Sequence, residues 1–245
     1  MGGSPKDLAD ILRGVAGKLK SRTTAAIIVA GGSGSRMNST LPKQFLMLGG
    51  MPVVARTINT FNDALPGAEI VVVLPKEHIA LWKNLAARFD VAVHKCVEGG
   101  KERFHSVKSG LEALSSEVEF VAIHDGVRAL ATKKLVIRAM LATEEKDAVI
   151  PVVDVVDSYR RVEGDSSVIV PRKDLRIVQT PQCFRRSLIT KAYEQPFDPA
   201  FTDDASVVEA MGEKISLIEG ERSNIKLTTP EDLNWAEWQL SRSDE

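Results

Sequence analysis

The sequence predicts an α/β fold, a three-layer sandwich around a largely parallel, Rossmann-like sheet with one protruding β-arm. From Thr24 onward, short β-branched runs alternate with segments of helical period. Most of the runs are apolar throughout, the pattern of strands buried on both faces. Such alternation calls for right-handed crossovers, which lay helices over both faces of the sheet. It fails once, at residues 155–176, and that interruption marks the arm.

Residues 1–22 ("MGGSPKDLADILRGVAGKLKSR") set Leu8, Ile11, Leu12, Val15 and Leu19 on one helical face among lysines and aspartates. They read as a tag-like or loosely attached extension outside the core, with a partner-binding helix as the alternative. Strands are expected at "AAIIVA" (25–30), "EIVVVLP" (69–75), "VAVHKCV" (91–97), "EFVAIHD" (119–125), "DAVIPVV" (147–153) and "KISLIEG" (214–220). Helical period runs through "MPVVARTINTFNDA" (51–64), "KEHIALWKNLAARF" (76–89), "ERFHSVKSGLEALSSE" (102–117), "TKKLVIRAMLATEE" (132–145) and "TDDASVVEAMG" (202–212). The stretch from Val155 to Arg176 resembles two short strands around a Gly-Asp-Ser turn. A last helix is expected in "TPEDLNWAEWQL", with Thr229 as N-cap, Pro230 at the first position and Asp232 at the third.

The chain has 245 residues, 44% of them hydrophobic, enough for one sizeable core, so residues 23–245 are expected to form a single domain. A formal net charge of −1 gives no global basic field, and no nucleic-acid partner is expected. Cys96 and Cys183 stand far apart without a CxxC partner, which argues against a zinc site and a disulfide framework. No apolar run approaches the roughly 18 residues of a membrane span, and no secretory leader is evident. A soluble, cytoplasmic protein without a membrane partner is the expectation.

In an open parallel sheet, ligands bind outside the C-terminal strand ends. The first strand breaks there into "AGGSGSRM" (30–37). A P-loop would need GxxxxGK[ST], which is absent at this spacing. A dinucleotide fingerprint would need Gly or Ala where Met37 stands, and an acidic residue where the apolar helix around Val53–Arg56 falls. What remains is a loop that wraps a nucleoside triphosphate. Gly31, Gly32 and Gly34 let main-chain N–H groups converge on phosphate oxygens. Arg36 and Lys43 add positive charge.

"AGGSGSRM…LPKQFLMLGGMPVV" resembles the signature of the pyrophosphorylase-type nucleotidyltransferases. With "GGKERFHSVKSGL" (99–111), "HDGVRA" (124–129), "VPRKDLRIVQTPQCF" (170–184), "TDDAS" (202–206) and "EGERSNIKLTTPEDL" (219–233), the chain resembles the 2-C-methyl-D-erythritol 4-phosphate cytidylyltransferase family from about Thr24 to Leu240. The resemblance implies that CTP and methylerythritol phosphate react with Mg²⁺ to give CDP-methylerythritol and pyrophosphate. The substrate's phosphate is then the nucleophile, and the sequence offers no Ser-His-Asp or Cys-His set in its place.

By the same resemblance, Arg36, Lys43 and Lys226 form a cation clamp around the α-phosphate. Ala30, Gly31 and Gly32 meet the nucleotide through the main chain, and Gly100 and Ser106 contact the cytosine. Asp125, at the end of a buried strand, holds Mg²⁺, which typically takes one or two carboxylates and keeps waters. Arg128, Arg172 and Thr180 bind the polyol phosphate. The arm, at about 154–176, is exchanged between two subunits, making Arg172 a residue of the partner's site and the protein a homodimer. His124 reads as a buried structural histidine. Asp203 and Asp204 read as the start of a helix beside the site, with Thr202 as cap.

Three positions depart from the family pattern. Lys101 stands where an acidic residue is frequent, Ala129 where a proline is, and "PVVDVVDSYRR" replaces PVxDT, so that Val155 or Ser158 takes the place of a threonine. Ribitol 5-phosphate cytidylyltransferase is therefore an alternative within the enzyme class. A catalytically inactive nucleotide-binding module is the alternative outside it, although Arg36, Lys43, Asp125 and Lys226 are all present.

Overall fold

The computed structural model describes residues 23–32 and 41–242. The N-terminal extension at 1–22 and Arg36 lie outside the described residues. The expected strands appear as β1 (Thr24–Val29), β4 (Glu69–Leu74), β5 (Lys95–Glu98), β6 (Phe120–Asp125), β7 (Ala148–Asp154) and β12 (Ser216–Glu219). A small hairpin, β2 (Met47–Leu48) with β3 (Met51–Pro52), precedes α1 (Val53–Ala64). Then come α2 (Lys76–Ala86), α3 (Arg103–Glu112), α4 (Lys133–Lys146), α5 (Arg186–Ala192), α6 (Asp204–Glu209) and α7 (Pro230–Ser241).

In the central sheet β5, β4, β1 and β6 lie side by side and parallel. Beyond β6 the sheet carries two further short strands, β10 (Arg176–Val178) and β11 (Gln182–Arg185). β11 runs antiparallel between β6 and β7. Val152 pairs with both Val178 and Glu219, and Val149 with both Cys183 and Ser216, so β10 and β11 share one edge of β7 while β12 lies parallel on the other. The sequence reading did not resolve this pair: "RIVQTPQCFR" is short, and Pro181 interrupts its period.

The three layers follow from the two-residue alternation within each strand. Ala26, Ile28, Val72 and Leu74 pack against Ile58 and Phe61 of α1, Trp82 of α2 and Met140 of α4. Ala25, Ile27, Val71 and Val73 face the other way, onto Val107 and Leu111 of α3, Ile189 of α5 and Val208 of α6. Each such buried Val, Leu, Ile, Phe or Met side chain contributes about 1.5–3 kcal/mol.

The strand expected at 91–97 begins only at Lys95. The amide of Asn59 donates to Asp90 O at 2.8 Å and accepts from Ala92 N at 2.9 Å, occupying main-chain groups that a ladder needs. Pairing with β4 starts at Val71 and Lys95. The arm is a two-stranded antiparallel hairpin, β8 (Tyr159–Glu163) with β9 (Ser166–Val170), turning at Gly164 with a φ of 60°. Its pairing is internal to the hairpin, apart from the central sheet.

Candidate active site

Register places the site. Val29 lies opposite Asp125 on one side and Val73 on the other, while Leu74 lies opposite Glu98. The C-terminal ends of β1, β4, β5 and β6 therefore form one rim, and a cleft of about 550 Å³ opens there. Eight of the residues expected from sequence line it: Ala30, Gly31, Gly32, Lys43, Gly100, Ser106, Asp125 and Lys226.

Ala30 extends the β1 ladder by donating to Val73 O at 2.9 Å, so the glycines begin at the sheet edge. Among the described residues a Cβ on Gly31 would meet only Pro75, at 3.9 Å, while one on Gly32 would lie 3.3 Å from Lys43 Cε. Lys43 opens a 3₁₀ turn, Lys43–Phe45, whose Phe45 ring is buried and stacks on Trp82 at 5.9 Å between centroids. That apolar anchor fixes the segment carrying the lysine.

Opposite, Gly99 donates to Leu74 O at 2.8 Å and leads into α3. Gly100 has no space for a side chain, since a Cβ would sit 2.3 Å from His105 Cβ. The Ser106 hydroxyl lies 3.4 Å from Gly100 O and 3.3 Å from Glu102 O, so α3 and the glycine turn are tied together.

Asp125 forms the floor, and three cations face it. Lys226 Nζ lies 3.1 Å and Arg128 Nε 3.2 Å from Oδ2, and Arg103 Nε lies 3.7 Å from Oδ1. Burial alone would raise the carboxyl, but Arg103, Lys226 and Arg128 outweigh it and hold it well below the usual carboxylate range. Lys226 reaches this point because its segment is laced to the loop after β6. Leu227 N donates to Val127 O at 2.9 Å, and Arg128 Nη1 donates to Asn224 O at 2.8 Å. Buried Asn224 in turn donates to Thr180 O at 2.8 Å. α7 starts just afterwards with the expected cap, Thr229 and Asp232 satisfying each other's backbone N–H groups.

Thr180 and Arg128 lie behind the cleft wall. The Thr180 hydroxyl accepts from Asp125 N at 3.1 Å and lies 3.0 Å from His124 Nδ1, with His124 Nε2 3.2 Å from Arg128 O. A carbonyl only accepts, so Nε2 carries the proton, Nδ1 accepts from Thr180, and the threonine oxygen stays open to Asp125 N–H. Burial lowers the His124 pKa to about 4, so the ring is neutral and structural. Arg172 sits at the base of the arm, exposed, donating to Val156 O, and is not among the residues that line the cleft. Val155 is half-buried and Ser158 exposed beside it.

The sequence reading missed Arg103, which lines the cleft. Both of its terminal nitrogens donate to Asp204, each at 2.7 Å, and Tyr193 Oη donates to Asp204 Oδ1 at 2.6 Å. A signal was present. Arg103 opens α3, where the helix dipole disfavours a cation, so a carboxylate had to be supplied, and "TDDAS" supplies it. The cap of α6 is Asp203, with Ser206 completing a capping box, instead of Thr202. Both cysteines are free thiols. Among the described residues no three His, Cys, Asp or Glu side chains cluster as a metal cage. Among the same residues no helix is long and apolar enough to cross a membrane.

The sequence profile of 2-C-methyl-D-erythritol 4-phosphate cytidylyltransferase matches residues 24–242. The protein of that name from Bacteroides fragilis is 49% identical over 213 residues, covering 86% of this chain and 96% of its own. The one from Geobacillus kaustophilus is 43% identical over 216 residues, covering 86% and 94%. Among solved structures, the 4-diphosphocytidyl-2C-methyl-D-erythritol synthase of Anaerococcus prevotii superposes with a TM-score of 0.78 at 32% identity, covering 92% of this chain and 99% of that one. The 2-C-methyl-D-erythritol 4-phosphate cytidylyltransferase of Thermus thermophilus gives 0.73 at 33% identity, covering 90% and 99%. A glycine turn, facing lysines and a strand-end carboxylate thus sit in a fold and sequence shared with cytidylyltransferases, and the chain belongs to the 2-C-methyl-D-erythritol 4-phosphate cytidylyltransferase family.

Proposed function

We propose that the cleft transfers a cytidylyl group from CTP to 2-C-methyl-D-erythritol 4-phosphate, giving CDP-methylerythritol and pyrophosphate in non-mevalonate isoprenoid precursor synthesis. The observation that carries this reading is the meeting of Lys43, Lys226 and the Asp125 carboxylate around one glycine-lined cleft. A phosphate oxygen of the acceptor forms a bond to the α-phosphorus of CTP, and the bond from that phosphorus to the bridging oxygen breaks. Pyrophosphate leaves with the bonding electrons. The acceptor phosphate is already ionised near neutral pH, so no base is required, which fits the neutral, buried state of His124.

Catalysis then rests on alignment and on neutralising charge. Lys43 and Lys226 flank the triphosphate, and Arg36 is assigned to the same cation clamp. The main chain at Ala30, Gly31 and Gly32 approaches the phosphates without a side chain intervening at the glycines. Gly100 and Ser106, at the start of α3, select the pyrimidine through main-chain and hydroxyl groups. Arg128 and Thr180 serve the acceptor phosphate and also hold Asp125, Thr180 at its backbone N–H and Arg128 at its carboxylate.

A divalent cation fits Asp125. The carboxylate is ionised, and among the described residues the cation that faces its Oδ1 is Arg103, at 3.7 Å, beyond hydrogen-bonding distance. A lone carboxylate suits Mg²⁺ that shares triphosphate oxygens and keeps waters. Bound there, Mg²⁺ would neutralise triphosphate charge.

The arm supports a homodimer. Val162 is 75% and Ile169 73% exposed on a hairpin whose pairing is internal, an apolar surface suited to burial against a second copy. Arg172, at its base, then serves the partner's acceptor site. The test of the reading is pyrophosphate release from CTP and Mg²⁺. Release that requires a polyol phosphate acceptor supports transfer, and CTP binding without release would make the protein a nucleotide-binding module.

A further inference from the structure

Asp204, the third residue of "TDDAS", is fully buried, and the reaction as described makes no use of it. Its carboxylate is nevertheless among the most heavily engaged groups near the cleft. Oδ1 and Oδ2 take Nη1 and Nη2 of Arg103 in a two-point fork, each at 2.7 Å, and Oδ1 also takes the Tyr193 hydroxyl at 2.6 Å. The turn itself is pinned. Gln182 of β11 donates to Asp203 Oδ2 at 2.8 Å and accepts from Ala205 N at 2.9 Å. Asp204 is thus a fixed point, and the guanidinium it grips has little freedom to swing.

The fork points the third donor of Arg103, Nε, toward Asp125 Oδ1 but stops it at 3.7 Å. The other Asp125 oxygen is taken by Arg128 and Lys226. Oδ1 therefore accepts no hydrogen bond from the described residues, in a place where a half-buried guanidinium lies within about an ångström of closing on it. A bidentate, charge-assisted pair is the stronger competitor for Arg103, so the fork decides where the cation rests.

We propose that Asp204 is a positioning residue that withholds Arg103 from Asp125, and so keeps Asp125 Oδ1 open to a divalent cation arriving with the nucleotide. This rests on the reading of the cleft as a CTP site. Without the Asp204 charge, Arg103 closes on Asp125 and competes with the cation. Tyr193 has a lesser part, orienting the carboxylate by its single hydrogen bond.

The experiment is calorimetric titration of CTP into the intact protein at stepped Mg²⁺ concentrations, which reads binding and not turnover. In Asp204→Asn the Mg²⁺ concentration for half-maximal CTP binding rises about tenfold, the size expected when one charge-assisted contact must be displaced. Asp204→Glu, which keeps the charge, restores most of it. The double variant Asp204→Asn with Arg103→Gln also returns toward the wild-type requirement, because the competing cation is gone. A structural role alone predicts no such relief. An unshifted requirement in Asp204→Asn overturns the inference, and so does an equal shift in the double variant. If Asp204→Asn does not fold, Tyr193→Phe gives a shift of about twofold in the same direction, and none there overturns the proposal. Failure of the wild type to bind CTP at any Mg²⁺ concentration overturns the nucleotide reading and this inference with it. Normal wild-type binding with an unshifted variant overturns this inference alone.

Discussion

The Lys226 ammonium stands 3.1 Å from Asp125 Oδ2 at the floor of the cleft. Two hydrogen bonds hold it there, Leu227 N to Val127 O between main chains and the Arg128 side chain, through Nη1, to Asn224 O. Cation and carboxylate come from distant parts of the chain, and in the proposed mechanism both face the reacting phosphates.

Lys226→Ala and Lys43→Ala should each lower kcat by about two to three orders of magnitude, the usual effect of removing a group that stabilises transition-state charge. Lys226 is 44% exposed at its side chain, so its loss should leave the fold intact. Pyrophosphate release and the thermal midpoint check both halves. Near-normal turnover in either variant contradicts the clamp.

The glycines separate steric need from nucleotide need. Among the described residues Gly31→Ala meets only ordinary contact at 3.9 Å, so it should fold normally and raise the KM for CTP by about tenfold, a Cβ now standing where main chain approaches phosphate. Gly100→Ala places its Cβ 2.3 Å from His105 Cβ and should lower both CTP affinity and the thermal midpoint. Equal midpoints for the two variants would contradict this distinction.

Arg172→Ala should chiefly raise the KM for the polyol phosphate. Because the arm is proposed to serve the partner's site, mixed dimers of Arg172→Ala with Lys226→Ala should regain, at low polyol phosphate, a kcat/KM that neither variant shows alone, since one of the two sites is then complete. Absence of complementation, with mixed dimers demonstrated, would place Arg172 in its own subunit's site.

Acid should destabilise the metal-free protein through His124. Phe61, Thr180 and the Arg128 carbonyl enclose the ring. Burial lowers its pKa from 6.5 to about 4, with Asp125 opposing and the Arg128 and Arg103 charges reinforcing the shift. The unfolded chain takes up the proton first, so the contribution is complete above about pH 6.5 and is lost as pH falls toward 4. The loss amounts to about 3 kcal/mol. Urea midpoints measured across that range should fall with acid, and His124→Gln should flatten the curve. An unchanged slope in the variant would contradict a buried neutral ring.

Much of this was legible because each feature had a local signature. Ala25–Val29 and Ile70–Leu74 are apolar on both faces, and the strand ends after them are polar, so both the sheet and the rim of the site could be read. The capping pair Thr229 and Asp232 was visible for the same reason. What escaped depends on partners far along the chain. Residues 91–94 look like strand until Asn59 occupies their backbone, and Arg103 looks like one more helix charge until Asp204 meets it. The bonds of the Thr180 hydroxyl to Asp125 N and His124 were not legible either, because they join residues that only the sheet register brings together.

The most direct test of the central claim is pyrophosphate release from CTP and Mg²⁺ with 2-C-methyl-D-erythritol 4-phosphate and ribitol 5-phosphate as parallel acceptors. The account predicts a strong preference for methylerythritol phosphate in kcat/KM, with Val155 or Ser158 standing harmlessly where a threonine is usual. Equal or greater use of ribitol phosphate would contradict the assigned acceptor, while leaving the cation clamp and the chemistry at the α-phosphate in place.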